Sequence, residues 1–91
     1  MDSQLKGPYQ LDPQVALRPE PFGALAYHYG NRRLTFLRST DLAEVVRSLV
    51  DHPNVELALN AKVPPVQRAS FRRALLDLAR SGFIVPREQP A

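Results

Sequence analysis

The sequence predicts an α+β domain in which a three-stranded antiparallel sheet is followed by three helices. Two observations carry that expectation. From Pro13 to Arg38 side-chain type alternates with period two, interrupted only by residues suited to corners and turns. After Ser39 the apolar residues recur at spacings of three and four, and prolines punctuate the segments. A chain of 91 residues has room for one small domain with a single core.

Taken in order, residues 1–8 read as a flexible tail broken at Gly7-Pro8, residues 9–86 as the folded domain and residues 87–91 as a C-terminal tail. Tyr9 and Leu11 are placed to pin the first tail to the core edge. Asp12-Pro13 is a turn signal, after which Val15 and Leu17 point the same way on a short first strand. Pro19-Glu20-Pro21 is expected to be a corner between strands, because neither proline can donate to a ladder. Phe22-Gly23 then leads into a hairpin whose arms, Ala24–Tyr29 and Arg33–Arg38, flank the turn Gly30-Asn31-Arg32. Gly-Asn is expected to supply the positive backbone angles of that turn. Leu25, Tyr27 and Tyr29 share one face of the first arm, and Leu34 and Phe36 one face of the second. Three strands cannot bury an apolar face alone, so the downstream helices are expected to cover it.

Ser39, Thr40 and Asp41 are each good helix N-caps, and Leu42, Val45, Val46 and Leu49 repeat at helical spacing behind them. His52-Pro53-Asn54 stops this first helix. A weaker second helix runs from Val55 to Ala61 and carries Leu57 and Leu59. Pro65 suits the first turn of a third helix that continues to about Ser81, with Gly82 as its cap. On that helix Phe71, Ala74, Leu75 and Leu78 form the core stripe, and Arg73 and Arg80 lie opposite in solvent. Between them one flank collects Arg68, Arg72, Leu76 and Ala79. Phe83, Ile84 and Val85 form an apolar segment that folds back onto the core.

Composition removes several function classes. With no cysteine there is neither a disulfide nor thiolate chemistry. No apolar run approaches the roughly 18 residues of a membrane span, which points to a soluble, cytoplasmic protein with no membrane partner. The two histidines, His28 and His52, join no set of acids at metal-ligand spacing, and there is no glycine-rich phosphate loop or nucleophile elbow. Ser39, Ser48, Ser70 and Ser81 all fall in helix or cap contexts. The expectation is a protein that is not an enzyme and holds no metal or cofactor. Nine prolines argue for fixed corners in preference to a moving lid.

Net charge is +3, and the segment from Lys62 to Arg80 places Lys62, Arg68, Arg72, Arg73 and Arg80 against the single acid Asp77. This is either a solvated helix face or a basic surface for an acidic partner. Two binding readings follow. In the first, the last strand of a sequential meander is left with a free edge, and an extended peptide pairs with it. Leu34-Thr35-Phe36-Leu37 carries no charge or proline to guard that edge, although Arg33 and Arg38 flank it. Side chains of the peptide would then reach a pocket between the strand and the third helix, where Arg68 and Arg72 favour acidic groups and Leu76 apolar ones. The second reading is a winged-helix DNA-binding protein, compatible with three strands and a basic last helix. Against it, Val66, Gln67, Arg68, Ala69 and Ser70 are thin for base readout, and the charge is modest for phosphate-driven binding.

The segment Pro13–Gly30, most specifically its run Arg18–Gly23 (Arg-Pro-Glu-Pro-Phe-Gly), resembles the signature of the mycofactocin biosynthesis chaperone family. The segments Arg33–Ser39, Leu42–Pro53 and Phe71–Pro86 are similar to that family too, so the resemblance spans residues 9–86. It implies a winged-helix-like domain related to the pyrroloquinoline-quinone chaperone and to recognition elements of other ribosomally made, modified peptides. It implies a non-enzymatic, cofactor-free role: binding the leader of a precursor peptide as an added strand and presenting it to a radical S-adenosylmethionine maturase, with no nucleic acid partner. The implied peptide-binding positions are Arg33, Leu34, Thr35, Phe36, Leu37 and Arg38 on the strand, and Arg68, Arg72, Leu76 and Ala79 on the helix. Arg18–Gly23 falls outside that groove and either fixes the corner or forms a surface for the maturase.

Overall fold

The computed structural model describes residues 5–87. In chain order the elements are β1 (Tyr9–Leu11), β2 (Val15–Glu20), β3 (Gly23–His28), β4 (Leu34–Leu37), α1 (Thr40–Ser48), α2 (Val55–Lys62), α3 (Arg68–Arg80) and β5 (Ile84–Pro86). The expected sheet is present as an antiparallel meander in the order β2-β3-β4, followed by the three helices. Parts of the two expected tails, residues 1–4 and 88–91, lie outside the described residues.

A second antiparallel pair, unforeseen as a sheet, joins β1 to β5 with Tyr9 opposite Pro86 and Leu11 opposite Ile84. The pinning of Tyr9 and Leu11 and the return of Phe83-Ile84-Val85 are therefore the two halves of one element. The pair lets Phe83 and Ile84 become fully buried. Arg87 closes this end of the molecule. Its guanidinium donates to the carbonyls of Leu49, Val50 and His52, at 3.2 Å for Leu49 and 2.9 Å for His52. These carbonyls belong to the single 3₁₀ turn Leu49–Asp51 that ends α1, and to the residue after it. Arg87 thus places a cation at this helix end, joining His52 N–H on the Leu49 carbonyl and supplying donors to the Val50 and His52 carbonyls.

The proline run differs from the expectation. Pro19 and Glu20 are strand residues, paired with Ala24 and Gly23, and the corner contracts to the two-residue turn Pro21-Phe22. A proline is tolerated there because β2 lies at the edge of the sheet, where a missing donor need not break a ladder. Gly23 makes the corner work. Its φ is +147°, and a Cβ placed on it would lie 2.0 Å from the Leu37 carbonyl oxygen and 2.7 Å from the Ser39 nitrogen. The chain leaving β4 for α1 crosses directly over this glycine.

The second turn also departs from the expected chemistry. The positive φ, +61°, is at Arg32 and not at Gly30 or Asn31. A Cβ on Gly30 would fall 1.9 Å from the side-chain oxygen of the exposed Gln14, which can swing aside, and 2.8 Å from Cε1 of the buried His28 ring, which has less freedom to move. His28 organises the loop. Its Nδ1 accepts from the backbone N–H groups of Gly30 at 3.0 Å and Asn31 at 3.1 Å, while Arg33 N–H donates to the Asn31 side-chain oxygen at 2.9 Å. This network assigns the ring proton to Nε2, 3.7 Å from Asp12 Oδ2.

The buried face of the sheet is the reverse of the expected one. Ala24, Ala26, His28 and Leu37 face the core, and the bulkier Leu25, Tyr27, Tyr29, Leu34 and Phe36 lie on the open face. The physical reason is close packing. α1 lies on β3 and brings Leu42, Val45, Val46 and Leu49 against Ala24 and Ala26, where a larger side chain would hold the helix away. The remaining helical expectations hold in outline. Ser39 caps α1 by accepting from Leu42 N–H at 3.1 Å. Asn54 caps α2 by accepting from Leu57 N–H at 2.8 Å. On α2, however, Leu59 is buried and Leu57 exposed, because Val55, Ala58 and Leu59 form the inner stripe. α3 begins after a 3₁₀ turn at Pro65–Gln67. It ends in a Schellman motif, with Phe83 N–H donating to Leu78 O at 2.9 Å and Gly82 N–H to Ala79 O at 3.1 Å. The φ of +82° at Gly82 is what that motif requires.

Candidate functional site

β4 is the free margin of the meander. It pairs with β3 on one side, and among the described residues no strand pairs with it on the other. The register sets Tyr27 opposite Leu34, Ala26 opposite Thr35, Leu25 opposite Phe36 and Ala24 opposite Leu37. His28 N–H donates to Arg33 O at 2.9 Å, which fixes the phase of the ladder. Because hydrogen-bonded and non-hydrogen-bonded positions alternate, the backbone groups of Thr35 and Leu37 turn toward β3. Those of Leu34 and Phe36 turn outward, leaving two N–H and two C=O groups on the free edge.

Around that edge Leu37 is buried and Thr35 half-buried, while Arg33, Leu34, Phe36 and Arg38 are exposed. Leu34 is 53% and Phe36 54% exposed, against a half-buried Leu25 and Tyr27 on the neighbouring strand. Phe22, from the turn before β3, meets Phe36 edge to face with ring centroids 5.7 Å apart. Phe22, Phe36 and Arg38 line an open cavity of about 330 Å³ on the outer face. Phe22 is a lining residue that sequence reasoning did not select. It sat in a stretch read as a corner, and nothing local signals its contact with Phe36.

The helical positions of the predicted site share one side of α3. Arg68, Arg72, Leu76 and Ala79 are all half-buried along one side of α3. The two arginines, however, already have partners on and beyond α2. Arg68 Nε donates to Val63 O at 2.8 Å and its Nη2 to Asn60 O at 3.4 Å, which covers the C-terminal end of α2. Arg72 forms a bidentate pair with Glu56, both bonds 2.7 Å. The Arg72 hydrogen bonds pull the Glu56 carboxyl below its ordinary range; burial opposes the shift, and the charges of Arg72 and Arg68 add to it. Arg72 and Leu76, with Ala69 and Arg73, line a smaller hollow of about 170 Å³. The two halves are tied at one end. Asn31 donates its side-chain amide to Ser81 O at 3.3 Å, fastening the turn before β4 to the end of α3.

The Glu56–Arg72 pair yields a prediction about stability. Both side chains are more than a quarter exposed, so Glu56→Gln is expected to cost less than about 1 kcal/mol at neutral pH. The folded-state pKa of Glu56 is depressed. Its contribution is therefore complete above the ordinary carboxylate value and disappears as pH falls through the lowered one. Urea unfolding of both proteins should give curves that converge on acidification; a gap that does not narrow as pH falls below the ordinary carboxylate range would assign the stabilisation to something other than this carboxylate.

No helix among the described residues is long and apolar enough to cross a membrane. Among them no cluster of His, Asp or Glu is arranged to hold a metal. Ser39, Ser48 and Ser70 use their hydroxyls within their own helices.

Comparison with known proteins matches residues 8–85 to the family described as the peptide chaperone MftB family. Peptide chaperone MftB of Mycobacterium ulcerans (strain Agy99) is 49% identical over 81 residues, covering 88% of this chain and 74% of that protein. Its namesake in Mycolicibacterium smegmatis is 49% identical over 79 residues, covering 86% and 78%. That of Mycobacterium tuberculosis is 44% identical over 81 residues, covering 88% and 74%. The name these relatives carry describes a non-enzymatic role. No solved structure matches the chain.

Proposed function

The chain belongs to the peptide chaperone MftB family, and from that premise we propose that it binds the leader of the mycofactocin precursor peptide as a fourth strand along β4. In this reading it presents the peptide to a radical S-adenosylmethionine maturase and does no chemistry itself. The observation that carries the reading is the unpaired margin of β4, with the backbone groups of Leu34 and Phe36 turned outward. Each hydrogen bond made there contributes about 0.5–1.5 kcal/mol net, so a few of them with side-chain contacts suffice for specific binding.

The peptide's inward-facing side chains would lie toward α3, where Leu76 and Ala79 offer apolar contact. Arg68 and Arg72 lend positive potential from the far side of the flank. Because Glu56 partly neutralises Arg72, the helix contributes less to acidic selectivity than its arginine count suggests. Within the run Arg18–Gly23, Gly23 permits the crossing of β4 into α1, and Phe22 meets Phe36 beside the free edge.

Titrating the isotope-labelled protein with the precursor peptide tests this. Backbone amide shifts should be largest at Leu34 and Phe36 and extend to Leu76 and Ala79. Perturbations confined to the β1–β5 pair or to α2 would overturn the assignment.

A further inference from the structure

The outer face of the sheet carries information about which peptide fits. We propose that the added strand, taking the peptide-binding reading as its basis, carries a carboxylate and two apolar side chains at alternate positions. Read N to C, the order is acidic-x-apolar-x-apolar, with the acid beside Arg38 and the apolar pair beside Phe36 and Leu34.

Three observations support this. First, exposure of the apolar face is graded sideways. Leu25 and Tyr27, on the central strand, are half-buried by neighbours on both sides, whereas Leu34 and Phe36 lie more than half exposed on the strand with one neighbour. The missing cover is lateral, as a strand would supply it, and not an overlying lid. Second, the residues whose backbone groups point outward are the same ones whose side chains lie on this face, Leu34 and Phe36. An antiparallel guest forms its hydrogen-bonded pairs opposite them, with side chains on the same face within contact distance. Third, the charges on this face are unequal. Arg18 is offset by Glu20 at 3.0 Å, while no acid within the described residues pairs with Arg38, which lines the apolar cavity with Phe22 and Phe36. A carboxylate two residues before the first apolar side chain places its charge at Arg38 and that apolar side chain in the cavity. The guest is taken as antiparallel because every pairing among the described residues is, and because that ladder is the slightly stronger one.

The experiment is a charge swap between protein and peptide. Affinity of Arg38→Glu for the precursor peptide is expected to fall about tenfold with the melting temperature unchanged. A set of peptides with each Asp or Glu changed singly to Lys should contain one that restores binding to Arg38→Glu while binding the parent protein less well. The residues two and four positions C-terminal to that site should be apolar, and a charge at either should weaken binding. Unchanged affinity of folded Arg38→Glu, or the absence of any rescuing peptide, overturns the proposal. Rescue by a position C-terminal to the apolar pair overturns its order. Arg38→Gln, which adds no repulsion, should lose less than the reversal does; an equal or greater loss would also count against the charge pairing. Failure here leaves strand addition standing if the peptide still perturbs the amides of Leu34 and Phe36. Failure of that perturbation removes both readings.

Discussion

Gly23→Ala is expected to abolish the cooperative fold. A methyl group at this position would overlap the Leu37 carbonyl oxygen at 2.0 Å and crowd both backbone polar groups of Ser39, at 2.7 and 2.9 Å. Neither is the far end of a flexible side chain. Relief requires moving the start of α1 or the end of β4, and both carry core residues: Leu37, Leu42 and Ala43 are buried. The φ of +147° adds a conformational cost that only glycine escapes. A domain of this size has about 5–10 kcal/mol to lose, and a clash that displaces one helix from the sheet should take more than about 4 of it. Thermal unfolding should show a melting temperature lowered by at least about 15 °C, or no transition at all. Gly7→Ala is the control. Gly7 also has positive φ, +77°, but nothing lies within 4 Å of its absent Cβ, so only the conformational cost of about 1 kcal/mol should appear. A Gly23→Ala protein that melts within about 5 °C of the parent would mean that the chain leaving β4 does not press on this position.

The same crossing explains what the sequence could and could not disclose. Period-two alternation says which side chains share a face, and it placed Leu25 with Tyr27 and Leu34 with Phe36 correctly. It does not say which face the helices take. Bulk ordinarily marks the buried side, but here α1 approaches β3 so closely that alanines are required beneath it, and the large residues turn outward. The helices were legible because their apolar spacing and caps are local signals. α2 was the weakest, and of its Leu57 and Leu59 only Leu59 is buried. The β1–β5 pair was illegible as a sheet, since two three-residue strands from opposite ends of the chain carry no local trace of one another. The helical wheel sets Arg68, Arg72, Leu76 and Ala79 on one side of α3, but a wheel names no partners. Glu56, sixteen residues before Arg72, and the carbonyls of Asn60 and Val63 could be found only in three dimensions.

Phe36→Pro is expected to remove peptide binding while sparing the fold, and the phase of the ladder is the reason. Leu25 and Phe36 form a non-hydrogen-bonded pair, so the N–H of Phe36 points away from β3 and its loss breaks no internal bond. Thr35, which precedes it, already has the extended backbone that a following proline demands. Proline is a residue that natural sheets use to close an edge. The ring would occupy the space a guest carbonyl must enter, so the cost exceeds the single lost hydrogen bond, and affinity should fall by more than about tenfold. Phe36→Val separates the backbone effect from the loss of the aromatic ring, because valine keeps the N–H and suits a strand; it should bind more tightly than the proline variant. Thr35→Pro should behave oppositely to Phe36→Pro. Its N–H faces β3, so that variant loses about 3 kcal/mol of stability before any peptide is added. Circular dichroism with calorimetric titration reads all three. A folded Phe36→Pro protein that binds the precursor peptide within about twofold of the parent would mean that the peptide docks somewhere other than the margin of β4.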